Sequence, residues 1–157
     1  MASYFRESRN AELSTLDYLK AQINAYWSDV NIVKSYNDAS SKALPVVAVQ
    51  LTDTETERRE IGNTEVINKY VVNIDIFAKS DAMRLDLTSH IVDILKAGWV
   101  YYQYSHGSGD NTTLVTQAAG RVTVEEFVEN TKVEFGTDVD VYDKYRQFIQ
   151  IRVRVDV

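Results

Sequence analysis

The chain has 157 residues, enough for one domain with a substantial buried core and no need of covalent staples. It has no cysteine, which excludes disulfides and thiolate metal sites. Asp and Glu number 23 against 17 Lys and Arg, a formal net charge of −6, so the concentrated positive charge of a tight nucleic-acid binder is missing. The amino-terminal "MASYFRESRN" is polar and reads as lacking a signal peptide's apolar core, and no apolar run approaches the length of a membrane span.

A first helix is expected from Asn10 to Trp27. Leu13, Leu16, Leu19, Ile23 and Tyr26 recur three or four residues apart and form its apolar stripe. Ser8 and Asn10 are the candidate caps, and Glu12, Asp17 and Lys20 lie on the polar side. A weak strand, Asn31 to Tyr36, leads into the loop "NDASSKAL", which Pro45 ends. Val46 to Thr52 reads as a second strand. The charged "DTETERREIGN", Asp53 to Asn63, reads as a long connection, beyond the usual length of a hairpin loop.

The strongest strand pattern runs from Glu65 to Lys79. Val66, Tyr70, Val72, Ile74 and Ile76 take one face; Lys69, Asn73, Asp75 and Lys79 take the other, which Phe77 interrupts. Ser80 then caps a second helix, with Asp81 near the positive end of its dipole. Met83, Leu87, Ile91, Ile94 and Leu95 form its buried side and Gly98 ends it. A further strand is expected at Val100–Tyr104, two or three more around Leu114–Gln117, Val122–Phe127 and Lys132–Phe135, and a last one from Tyr145 to Val157. The whole reads as a single α+β domain over 1–157. Its sheet is mostly antiparallel and flanked by two main helices, in the order α-β-β-β-α-β-β-β-β.

Candidate chemistry is sparse. Asp86, His90 and Asp93 share a helical face and offer a divalent-metal trio for a hydrolase; the plainer reading is the solvated side of an amphipathic helix. "HGSGD", His106 to Asp110, has no strand-to-helix setting for a nucleophile elbow. Asp138, Asp140 and Asp143 lack the turn glycine and closing glutamate of a calcium loop. No phosphate-cradling loop or dinucleotide fingerprint occurs. No catalytic residue, cofactor or metal site is therefore expected. Ten tyrosines suit either a subunit interface or half-buried positions with hydroxyls at the surface.

The segment "PVVAVQLTDTETERREIGNTEVINKYVVNIDIFAKSDAMRLDLTSHIVDIL", Pro45 to Leu95, resembles the tail terminator (tail-completion) proteins of long-tailed bacteriophages. In that family a "V-V-x-L"-like strand leads to a charged loop, and a strand ending like "NIDIFA" meets a helix beginning like "SDAMRLDL". The resemblance covers about a third of the chain; the remainder agrees only in length and element order. It implies a structural virion protein rather than an enzyme, assembled in the host cytoplasm and placed at the tail–neck junction. Its expected form is a homo-oligomer, generally a hexameric ring, that caps the tail tube and ends its polymerisation. The ring then meets the neck or head-completion protein, with genomic DNA passing through its channel unbound and no membrane partner. Glu55, Glu57, Arg58, Arg59 and Glu60 in the charged connection are the candidate contacts to a neighbouring subunit or the tube, since mixed charge sets register between copies; the plainer alternative is a mobile solvated loop. Another phage neck or head–tail joining ring protein is the near alternative, and the metal-dependent hydrolase the remote one.

Overall fold

The structure is a computed structural model that describes residues 6–35, 39, 42–58, 61–62, 66–106, 114–133 and 145–157. Among these, two helices and one six-stranded sheet make an α+β domain. The elements are α1 (Glu7–Tyr26), β1 (Asn31–Val33), β2 (Val46–Arg58), β3 (Val66–Phe77), α2 (Asp81–Lys96), β4 (Trp99–His106), β5 (Leu114–Val133) and β6 (Arg146–Asp156). The sheet order is β1-β2-β3-β6-β5-β4; only the three-residue β1 pairs in parallel.

The period-two pattern of β3 is realised. Tyr70, Val72, Ile74 and Ile76 are buried, and Ile149, Ile151 and Val153 of β6 join them in one core. Leu19 and Ile23 of α1 and Leu87, Ile91 and Leu95 of α2 close on the same side. The helices thus pack together against one face of the sheet and do not flank it on both sides. Residues Lys69, Asn73 and Asp75 point to the other, outer face. Phe77 covers one corner of that face with Ala39, Val46 and Ala48, and Arg146 lies 5.1 Å from its ring centre.

Helix α2 follows its sequence signals. The Ser80 hydroxyl accepts the Met83 amide at 3.2 Å, and Gly98 terminates the helix at φ +68°. A Cβ at Gly98 would lie 2.8 Å from the Val122 carbonyl oxygen, so both the left-handed backbone and the tight approach to β5 require glycine. Inside, Arg84 is buried and held by Asp81 at 3.0 Å and by the Gln147 side chain. That satisfies a guanidinium at the helix–sheet junction.

Three expectations are corrected. The helix α1 starts at Glu7 after Arg6, with no side-chain cap, so Ser8 and Asn10 are inside it. Its buried side consists of Glu7, Asn10, Ala11, Ser14, Thr15, Leu19 and Ile23; Leu13 and Leu16 are half-buried and Tyr26 is 74% exposed. Second, Asp53–Arg58 continues β2 and is no loop. Third, the separate strands expected over Leu114–Gln117, Val122–Phe127 and Lys132–Phe135 are, as far as Val133, one twenty-residue strand, β5. Among the described residues three strands therefore follow α2, not four.

The rotation of the α1 stripe has a physical reason. The sheet curls until β2 and β4 both meet this helix. At β4, the Tyr102 amide donates to Ser14 Oγ at 2.9 Å and the Tyr104 amide to Asn10 Oδ1 at 3.4 Å. At β2, the Leu51 amide donates to Glu12 Oε2 at 3.0 Å. Unpaired backbone groups on a buried edge must find partners, so polar side chains are needed on the inner side of the helix. Helix α1 closes the seam between two strand edges.

Candidate functional site

As far as Arg58, the charged connection of the sequence is the strand-paired arm of a β2–β3 hairpin. Thr56, Glu57 and Arg58 pair with Asn68, Ile67 and Val66, while β3 first pairs with β6 at Lys69. The last three pairs of the arm lie beyond the β3–β6 pairing. Beyond them Ile61 is fully exposed, and Gly62 takes the left-handed turn at φ +87°. Arg59 and Glu60 lie outside the described residues, as does the side chain of Arg58.

Glu55 and Glu57 are not free loop acids. They belong to a cross-strand ladder of charge on the outer face of the sheet. Arg152 reaches over β3 to Glu55 at 3.2 Å and also pairs with Glu126. Lys69 bridges Glu57 at 3.4 Å and Glu125 at 3.1 Å. Arg154 holds Glu125 and Asp156 at 3.2 and 3.0 Å. Deeper in the same face, Asp75 pairs with Arg146 at 2.8 Å and Asn73 accepts from Gln150 at 3.0 Å. Sequence reasoning named the arm acids and missed Lys69, Arg152, Arg154, Glu125 and Glu126 as their partners. The signal was present in the alternation of Arg152 and Arg154 with Ile151, Val153 and Val155, but a strand's neighbours are not readable from its own pattern. Among the described residues that pair on this face, the acids Glu55, Glu57, Asp75, Glu125, Glu126 and Asp156 outnumber the bases Lys69, Arg146, Arg152 and Arg154.

The trio Asp86, His90 and Asp93 is not brought together. Asp86 is exposed, and Asp93 pairs with Lys96 at 3.6 Å. His90 is half-buried, not on a solvated side, because the end of α1 packs on it. The Trp27 ring meets it edge-on at 4.8 Å between centres and the Tyr26 ring lies at 5.4 Å. Among the described residues no group of three His, Asp or Glu is placed to hold a metal ion. "HGSGD" beyond His106 and the acidic run Asp138, Asp140 and Asp143 lie outside the described residues. No described helix is long and apolar enough to cross a membrane.

The described tyrosines differ in burial. Tyr70, Tyr101 and Tyr104 are buried around α1. Tyr70 Oη donates to the buried Glu7 carboxylate at 2.7 Å and Tyr104 Oη to Asp17 at 2.7 Å. Burial, and then these carboxylates, push both hydroxyls well above the ordinary tyrosine range. Tyr102 and Tyr26 are exposed.

Next to Tyr102 a groove of about 400 Å³ opens between α1 and the start of β4. Tyr18, Trp99, Val100 and Tyr102 line it, with Asp17 and Arg121 at its sides. Tyr18 and Trp99 stack with ring centres 5.3 Å apart, and Arg121 is tied to the Ala97 carbonyl at 2.6 Å, so the walls are fixed. Compared with models of protein families and with curated proteins, the chain matches none.

Proposed function

We propose that this chain is a ring-forming structural protein of the tail-terminator kind, which caps a phage tail tube, stops its growth and presents a surface to the neck or head-completion protein. The single observation that supports this most is the unit formed by β2, β3 and α2. It coincides with Pro45–Leu95, the segment that carries the resemblance, and in it Asp53–Arg58 is strand paired with β3 and not loop. A strand-paired segment loses less conformational freedom on docking than a loop would. The acid-rich outer sheet face suits a surface near passing DNA, because negative charge repels phosphate.

The role belongs at the tail–neck junction of a virion, in a hexameric ring. Electron microscopy of the purified protein, alone and mixed with polymerised tail-tube protein of its phage, tests it. Rings alone and rings seated on tube ends are expected. Reversing Arg58 and Arg59 together to Glu should weaken seating while leaving the circular dichroism spectrum and thermal midpoint unchanged. Tubes that grow undiminished in the presence of the protein would sink the reading.

A further inference from the structure

We propose that the groove between α1 and the start of β4 takes an extended, uncharged apolar segment of a partner protein, added as a strand to the open edge of β4 at Val100. This site is independent of the ring reading above.

Helix α1 runs antiparallel to β4 and caps its edge step by step. Asn10 Oδ1 accepts the Tyr104 amide, and Ser14 Oγ meets both the Tyr102 amide and its carbonyl, at 2.9 and 3.4 Å. Four helical residues rise about 6 Å and two strand residues about 7 Å, so the spacings match. The next step of the series sets Tyr18 opposite Val100. Alternation turns the Val100 amide and carbonyl to the same edge as those of Tyr102, away from β5. Tyr18 does not cap them: its ring stacks on Trp99 and its hydroxyl donates to the Ile94 carbonyl at 2.7 Å. Asp17 is engaged by Tyr104 Oη, and Ala21, one turn on, has no polar side-chain atom. The capping series therefore ends one strand position early, and the groove of about 400 Å³ opens where it ends.

The side chains exposed at this place are apolar. Val100 and Tyr102 are each over a third exposed, beside the stacked Tyr18 and Trp99. An outward N–H and C=O beside an apolar trough is how a sheet edge takes an added strand: main-chain bonds hold the segment and the trough selects a side chain. Asp17 stands on the helix side, and Arg121, paired across from Val100, on the sheet side. Their opposite signs leave no net charge to match, which favours an uncharged segment over an acidic or basic one.

This edge also lacks the devices that discourage pairing. The stretch "WVYYQY" has no charge and no proline, and β4 itself is regular, the bulge opposite Tyr101 and Tyr102 belonging to β5. Two other open edges differ. The strand β1 has three residues, and β5 beyond Val122 carries Glu125, Glu126 and Glu129 with two bulges. Neither supplies the apolar strand that the groove fits, so a foreign segment is favoured over a second copy of the chain.

Random heptapeptides displayed on a carrier and selected on the purified chain provide the probe; enriched sequences are then made as free, end-blocked peptides. They should share one bulky apolar position, carry few charges and shift the amide resonance of Val100. N-methylation of the alternate amides that face β4 should weaken binding about tenfold, and methylation of the other set should not. A purely apolar contact does not make that distinction. Ala21→Trp, at an exposed helix position, should fill the groove and abolish binding with an unchanged circular dichroism spectrum. Failure to enrich any peptide would overturn the proposal, as would binding that survives Ala21→Trp or responds equally to both methylation patterns. Sedimentation of the chain alone is the last check: self-association that Ala21→Trp abolishes would put a second copy in the groove and overturn it too.

Discussion

Helix α1 and the β2–β3 arm are both charged, and they use that charge in opposite ways. On α1 the polar groups turn inward. Asn10, Ser14 and Glu12 are engaged by backbone amides of β4 and β2, and Glu7 and Asp17 by buried tyrosines. On the arm they turn outward, paired by Lys69 and Arg152 across an open face. A buried polar group left without its partner costs about 1–3 kcal/mol, whereas an exposed ion pair contributes about 0–1 kcal/mol. The same residue types therefore seal buried strand edges in one region and form exposed ion pairs in the other.

The strongest way to break this contrast is at the core both regions depend on. Ile74→Asp puts a charge at a position with no solvent access and should cost at least 4 kcal/mol, read as loss of cooperative denaturant unfolding. Its neighbour Asn73 faces outward and accepts from Gln150, a role a carboxylate retains, so Asn73→Asp should change stability by less than about 0.5 kcal/mol. Equal damage from both would invert the assignment of the two sheet faces.

At the sealed seam, Ser14→Ala leaves the Tyr102 amide without its acceptor. A loss of about 1–3 kcal/mol in denaturant titration is expected, with faster hydrogen exchange at Tyr102. An exchange rate unchanged at Tyr102 would mean that the helix does not cap this edge.

The same region should respond to alkali. The folded-state hydroxyls of Tyr70 and Tyr104 titrate above their unfolded value of about 10, so folding binds their protons more tightly. Their contribution is complete below pH 10 and is lost as pH rises further, at about 1.4 kcal/mol per pH unit for each group. Tyr104→Phe should flatten that decline, measured as stability against pH; a slope equal to wild type would place Tyr104 in solvent.

The smallest effects separate packing from surface on α2. His90→Ala removes a ring held by Tyr26 and Trp27 and should cost about 1 kcal/mol. Asp86→Ala, at an exposed position, should stay within about 0.5 kcal/mol. Calorimetry on the two variants reads the difference directly, and a similar loss from both would restore the view of that helix side as one functional cluster.

Local pattern alone determined β3, β6 and α2. Alternation in "YVVNIDIF" and "FIQIRVRV", the Ser80 cap and the Gly98 stop each act within a few residues of the chain, and each is present in the structure. The setting of His90 and the length of the charged loop were misread, because both depend on what packs against them. Thr52–Arg58 has little apolar alternation and is a strand because β3 pairs with it and Arg152 reaches it from β6. Leu114–Val133 is one strand because β4 pairs its first half and β6 its second. On α1 the leucine stripe pointed to an ordinary amphipathic helix. Only the curl of the sheet, which presents backbone donors at two edges, selected Asn10, Ser14 and Glu12 as inward residues. Hydrophobic periodicity records where water is excluded, but an unpaired strand edge makes polar side chains the favoured inward residues, and no local pattern encodes where such an edge will lie.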